Sequence, residues 1–347
     1  MPVSERSFLR RVLLGFLTTA LLVGCADSEL VELESDPVSI SLSGESFDVP
    51  VTEREDGRPL PAWQTEEERQ AAKDDSFDVR GSHQDIYGFT PPPPGVTRAV
   101  AEFERTDGVL VAWDDWLETY MVNLVGSLVD AAPVWIITDT LAHSRRVQNT
   151  LNRAGVPTEN VKFFEFQNDS FWTRDFGPIT VALEDGSAAM IGAEYFPDRR
   201  RDDAIPTLMG RYFELDTYRP PLATEGGNFM SNGDGLCAVT DAVVEYNPQH
   251  TRADILQIKR DYFGCEETII VERMSGEGTG HIDMFAKFVS ADTVLVGQYD
   301  TRDDRWNAAI LDRNAERFSQ TLLSDGSRLK VVRVPMPRPT DPVYRSY

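Results

Sequence analysis

The chain has 347 residues, 41% of them apolar, and a formal net charge of -23. That length supports one large folded domain or two small ones. Phosphate binding wants a basic face, so the acidity excludes nucleic acid as a partner, whereas it is compatible with drawing in a small cation.

In chain order, Arg6, Arg10 and Arg11 precede an apolar run from Val12 to Val23 that is too short to span a bilayer comfortably. The run ends in LVGC, Leu22 to Cys25, which resembles a bacterial lipobox. Residues 1–25 therefore read as a lipoprotein signal peptide, with Cys25 lipidated as the mature N-terminus. An ordinary signal peptide or short anchor is the alternative, and the residues around Arg10-Arg11 match a twin-arginine signal poorly. The expectation is an exported protein, on the periplasmic face or the cell surface, that meets the membrane only through its N-terminal lipid.

Residues 26–95 are rich in Asp, Glu, Ser and Gln and have little periodicity, so they read as a largely disordered acidic tether. The stiff PPPPG, Pro91 to Gly95, closes it, and the folded domain is expected over residues 96–347.

Within that domain strands and helices alternate. Gly108 to Trp113, Pro133 to Thr138 and Val161 to Phe166 read as strands, with a helix to about Ala131 and another over Leu141 to Ala154. A unit of strand, strand, helix, strand then recurs roughly every 50 residues, a spacing expected of propeller-like arrays. Its first copy is a hairpin around Asp185-Gly186 with a helix over Asp203 to Phe213. The second pairs Asn228 to Met230 with Leu236 to Tyr246, then a helix over Ala253 to Phe263 and the strand ETIIVE. The third pairs Ile282 to Val289 with Thr293 to Tyr299, then a helix over Trp306 to Leu323 and the strand LKVVRV.

The units open through FWTRDFG, ATEGGN and GEGTGHID. Loops at one end of such an array converge near its axis, which collects Trp172, Arg174, Asp175, Glu225, Asn228, His281 and Asp283. In an extended segment His281 and Asp283 point to the same side. With Asp175 they make a pocket of two carboxylates and an imidazole. A guanidinium suits such a pocket, because its planar fork is bound bidentately by carboxylates. The indole of Trp172 or Trp113 supplies a face for the cation or its alkyl stem. Bland readings stand beside these. Arg174-Asp175 reads as a structural ion pair that orients its loop, Trp172 as core, EGGN as a turn whose glycines supply positive φ, and Asp283 as an orienter of His281.

WTRDFGP, EGGN, GTGHIDMFAKF and AEFERTDGVLVAW together resemble the signature segments of the agmatine deiminase and bacterial, Porphyromonas-type, peptidylarginine deiminase family. That family lies within the guanidine-modifying pentein superfamily, and the likeness runs from about Val96 to Tyr347. It implies an α/β-propeller of ββαβ repeats and an enzyme that needs no cofactor and no metal. It implies hydrolysis of the guanidinium of agmatine or of free or peptidyl arginine to a ureido product and ammonia, through a thiouronium formed on a cysteine. By motif, His281 is the general acid and then base, Asp175 and Asp283 hold the guanidinium nitrogens, and Glu225 and Asn228 shape the site.

The family's nucleophilic cysteine lies in a last repeat that has no counterpart before YRSY, so the expectation is an incomplete propeller, inactive as written. Cys237 and Cys265 read as poor nucleophiles, and in an oxidising compartment they form a possible pair. Two rival readings are a metal-dependent hydrolase using the same acids with His281, and a non-catalytic surface lipoprotein that binds arginine-like ligands. A single histidine makes the first a thin ligand set.

Overall fold

The computed structural model describes residues 39–40, 58–74 and 83–338. The leader, Cys25, parts of the tether and the closing YRSY lie outside the described residues.

Four sheets hold the strands of the described residues. The first is parallel throughout, in the order Ser39–Ile40, Val161–Glu165, Val134–Thr138, Val109–Ala112. Its inner strand VWIIT is apolar up to its closing Thr138, as suits a parallel strand covered on both faces. Val134 and Ile136 pack with Met121, Val125, Val147 and Leu151 of the two crossover helices, Glu118–Leu128 and Leu141–Arg153. Ile137 faces the other way, into a cluster with Phe164, Ile205 and Met209.

The other three sheets repeat one order. Ile179–Leu183 pairs antiparallel with Ala188–Ile191, which runs parallel to Thr217–Tyr218 after the helix Arg200–Phe213. Val96–Ala99 adds to the outer edge of this sheet. Met230–Ser231 pairs antiparallel with Leu236–Thr240, which runs parallel to Glu267–Val271. Ala286–Ser290 pairs antiparallel with Thr293–Gln298, which runs parallel to Lys330–Pro335 after the helix Arg305–Gln320. This is the α/β architecture of ββαβ repeats that the sequence pattern predicts. Gly186 takes a φ of +84° in the hairpin turn, a conformation glycine adopts at little cost. Thr251 and Asp254 form a capping box at the start of the helix Arg252–Phe263, and Gly264 closes that helix in the left-handed region.

Two expected strands are shorter than their apolar runs suggest. Leu236 to Tyr246 splits at Asp241, and Ala242–Tyr246 is a short helix. Ile282 to Val289 begins as a turn, with the Phe285 and Ala286 N–H groups both donating to the Ile282 carbonyl, and extends only from Ala286.

The stretch read as a tether carries structure where it is described. Glu66–Asp74 is a helix, and Gln84–Tyr87 is a single helical turn with Ile86 and Tyr87 buried. Thr65 and Glu68 exchange backbone-to-side-chain hydrogen bonds of 3.1 and 2.6 Å, a capping box that starts the first of these helices.

Cys237 and Cys265 form a disulfide that links the parallel strands Leu236–Thr240 and Glu267–Val271 at one end. Both cysteines are buried in a cluster with Val181, Ile191 and Phe263.

Candidate active site

The three opening loops meet. Thr173–Phe176 is a single helical turn that buries Asp175, and Gly226–Asn228 is a 3-10 turn pressed against it. The glycines of EGGN are there for closeness rather than for positive φ. A Cβ on Gly226 would lie 2.1 Å from the Arg174 carbonyl oxygen. One on Gly227 would lie 2.3 Å from His281 Nδ1 and 2.7 Å from Asp175 Oδ1. No side chain fits at either position without moving the site.

His281 sits between two carboxylates. Its Nε2 contacts Glu225 Oε2 and its Nδ1 lies 3.6 Å from Asp175 Oδ1. All three side chains are buried. Burial pulls the imidazole pKa down, but the Asp175 and Glu225 carboxylates override it and raise the pKa to about 9. Burial pushes the Asp175 carboxyl up, to about 7, against the pull of His281. The imidazole is thus held as a proton donor in a buried site.

Asp283 departs from expectation. Residues 281–285 form a turn, not an extended segment, so His281 and Asp283 do not share a face. The Asp283 N–H donates to the Gly227 carbonyl, and its carboxylate accepts from Arg174 Nε at 2.9 Å. Arg174 also pairs with Glu102, which in turn pairs with Lys287. Arg174 is therefore a structural ion-pair partner, but of Asp283 and Glu102 rather than of Asp175. The network lines a cavity of about 270 Å³ together with Met230 and Phe288.

The remaining predicted residues fall outside the His281 group. The Asn228 side-chain carbonyl accepts from the Thr240 N–H at 2.8 Å and pins its loop to the end of the strand Leu236–Thr240. Trp172 stacks on Phe171 at 4.4 Å between ring centroids and donates its indole N–H to the Leu60 carbonyl at 2.7 Å. Trp113 packs in the core of the first sheet and donates to Asp115 Oδ1 at 3.0 Å.

A second cavity, of about 710 Å³, opens against Glu225. Its walls include Tyr195, Phe196 and Tyr246 and, from the stretch before the domain, Trp63, Gln64 and Arg69. Glu225 Oε1 is buried with no hydrogen-bond partner among the described residues. Such an acceptor is costly unless a donor arrives. Sequence reasoning missed the Trp63 segment and the Glu102 partner of Arg174. The signals were present, in Thr65-x-x-Glu68 and in the acid of AEFER.

Comparison with known proteins identifies the family. The family model of the Porphyromonas-type peptidyl-arginine deiminases matches residues 98–347. A Mycoplasma mycoides relative that carries the agmatine deiminase name is 26% identical over 265 residues, covering 69% of this chain and 70% of its own length. Among solved structures, the agmatine deiminase of Enterococcus faecalis superposes with a TM-score of 0.61 at 21% identity, covering 72% of this chain and 74% of that one. An agmatine deiminase of C. jejuni superposes with a TM-score of 0.54 at 17% identity, covering 72% and 74%. These two likenesses speak to the fold, and the family match covers most of the chain. The chain belongs to the Porphyromonas-type peptidyl-arginine deiminase family, hydrolases of C–N bonds in guanidino groups built on the pentein fold.

Proposed function

We propose that the protein binds the guanidinium of agmatine or of an arginine-bearing molecule at Glu225 and Asp175, with His281 as the proton carrier. The observation that carries this reading is the unpartnered, buried Oε1 of Glu225, a residue that lines a cavity and whose other carboxylate oxygen contacts an imidazole flanked by carboxylates. A guanidinium supplies N–H donors in a planar fork, which suits a carboxylate with one oxygen already engaged.

In the deimination scheme a thiolate adds to the guanidinium carbon, and ammonia leaves with a proton from His281. Water, deprotonated by His281, then cleaves the thiouronium to a ureido product and restores the thiolate. Cys237 and Cys265 cannot supply that thiolate while joined to each other, so the first step waits on a thiol from outside the described residues. Asp283, held by Arg174, acts on the substrate only if that pair opens.

Titration of the 347-residue protein with agmatine and with an arginine peptide tests the reading, alongside an ammonia assay. We expect weak guanidinium binding, lost in Glu225→Ala, and no ammonia. Absence of binding by either ligand would refute it. Turnover at roughly 1 per second or faster, an enzyme-like rate, would show that a thiol within this chain is the nucleophile. The alternative of a non-catalytic arginine-binding lipoprotein predicts the same binding and no ammonia even when a thiol is supplied.

A further inference from the structure

The family match begins at residue 98, yet part of the large cavity is built by residues before it. Four contacts fix that segment to the domain. The Leu60 carbonyl accepts from Trp172 Nε1, in the first signature loop. Arg199 Nη2 donates to the Trp63 carbonyl at 3.1 Å, and Gln64 Nε2 donates to Asp198 Oδ1 at 2.6 Å. Glu68 closes a buried fork on Arg199, with Nε to Oε1 at 2.9 Å and Nη2 to Oε2 at 3.1 Å.

The Trp63 indole lies on the third signature loop. A Cβ on Gly278 would come within 3.2 Å of Trp63 Cε3, so the ring rests closely on the backbone there and a larger residue would crowd it. Three residues further on is His281. The segment thus bridges the loops of the candidate site and closes one side of the cavity beside Glu225.

The size of the cavity argues for a purpose. About 710 Å³ falls within the roughly 300–1,000 Å³ of pockets that enclose drug-sized ligands, and a guanidinium on a short alkyl stem leaves much of it empty. Its walls beyond Glu225 combine the rings of Trp63, Tyr195, Phe196 and Tyr246 with the acids Glu194 and Glu245.

We propose that residues 58–69 are a substrate-selecting wall, in which Trp63 receives the body of a molecule whose guanidinium lies at Glu225, favouring N-acylated or peptide-like arginine over a bare alkylguanidine. The proposal rests on the guanidinium reading above and adds the residue that discriminates. Trp63 does not touch the reacting carbon. It sets what can extend away from it.

The test is calorimetric titration of the full 347-residue protein, native, Trp63→Ala and Trp63→Phe, with two probes, Nα-benzoyl-arginine amide and agmatine. A ring-on-ring contact is worth about a two- to tenfold change in affinity. Trp63→Ala is expected to weaken the benzoyl probe by about that factor and agmatine by less than about twofold, and Trp63→Phe is expected to restore most of the loss. Equal losses for both probes, or no loss for either, overturn the wall's selecting role. Failure of the native protein to bind either probe overturns the guanidinium reading itself, and the proposal with it.

Discussion

At the scale of single residues, the His281 imidazole sets the pH behaviour of the site. It faces Asp175 and Glu225 directly, and Asp283 adds a more distant negative charge. A histidine whose folded pKa is raised stabilises the fold fully below its unfolded value of 6.5, and that contribution is lost as pH rises through about 9. Replacing His281 by Gln removes the titrating charge and keeps a similar volume. The melting temperature of the native protein should therefore exceed that of His281→Gln by most below about pH 6.5, with the gap closing by about pH 9. A gap that widens with pH would mean the imidazole is neutral in the fold. Asp175, also raised, carries the same sign at lower pH, since its protonated form is the one that burial favours.

Among the elements, the helix Glu66–Asp74 depends on one buried ion pair. Arg199 is fully buried, and burial opposes the ionised Glu68 carboxylate, but the guanidinium holds its pKa below the usual range. Removing one partner of such a pair costs about 3–5 kcal/mol, because the other charge is left without a counterion. Glu68→Ala should lie near the lower end, since Tyr195 Oη and the Trp63 carbonyl still accept from Arg199. Urea unfolding measures this, and a loss below about 1 kcal/mol would show that the segment is not docked in solution. Why this element escaped a reading of the sequence is physical. EEERQAAKD has no apolar stripe to bury, and its hold comes from an ion pair and main-chain contacts that no periodicity encodes. The ββαβ units were legible because each strand and helix declares its buried face. Asp175, Glu225 and His281 were legible because their chemistry is concentrated in glycine-rich loops. Asp283 was not, because the turn at residues 282–285 defeats the alternation that an apolar run suggests.

For the molecule as a whole, the disulfide between Cys237 and Cys265 is the covalent constraint among the described residues. A crosslink spanning 28 residues removes chain entropy from the unfolded state worth about 3–4 kcal/mol. The double variant Cys237→Ala, Cys265→Ala should unfold at lower urea by about that free energy, while guanidinium binding at Glu225 persists. Loss of binding together with stability would place the bond in the site's support. Intact mass under non-reducing conditions should show the two-hydrogen deficit of the bond. The same measurement on exported protein reads the fate of the leader, where LVGC predicts a chain that starts at lipidated Cys25.

The wall at residues 58–69 belongs to the same polypeptide as the pocket it lines, and this has a kinetic meaning. Its local concentration at the pocket is set by the length of chain that joins them, not by how much protein is present. A partner tethered within one chain commonly stands at about millimolar effective concentration. Diluting the protein cannot strip it away, and a free peptide of the same sequence would have to approach that concentration to take its place. Any ligand too large for the walled cavity must displace a neighbour that always returns.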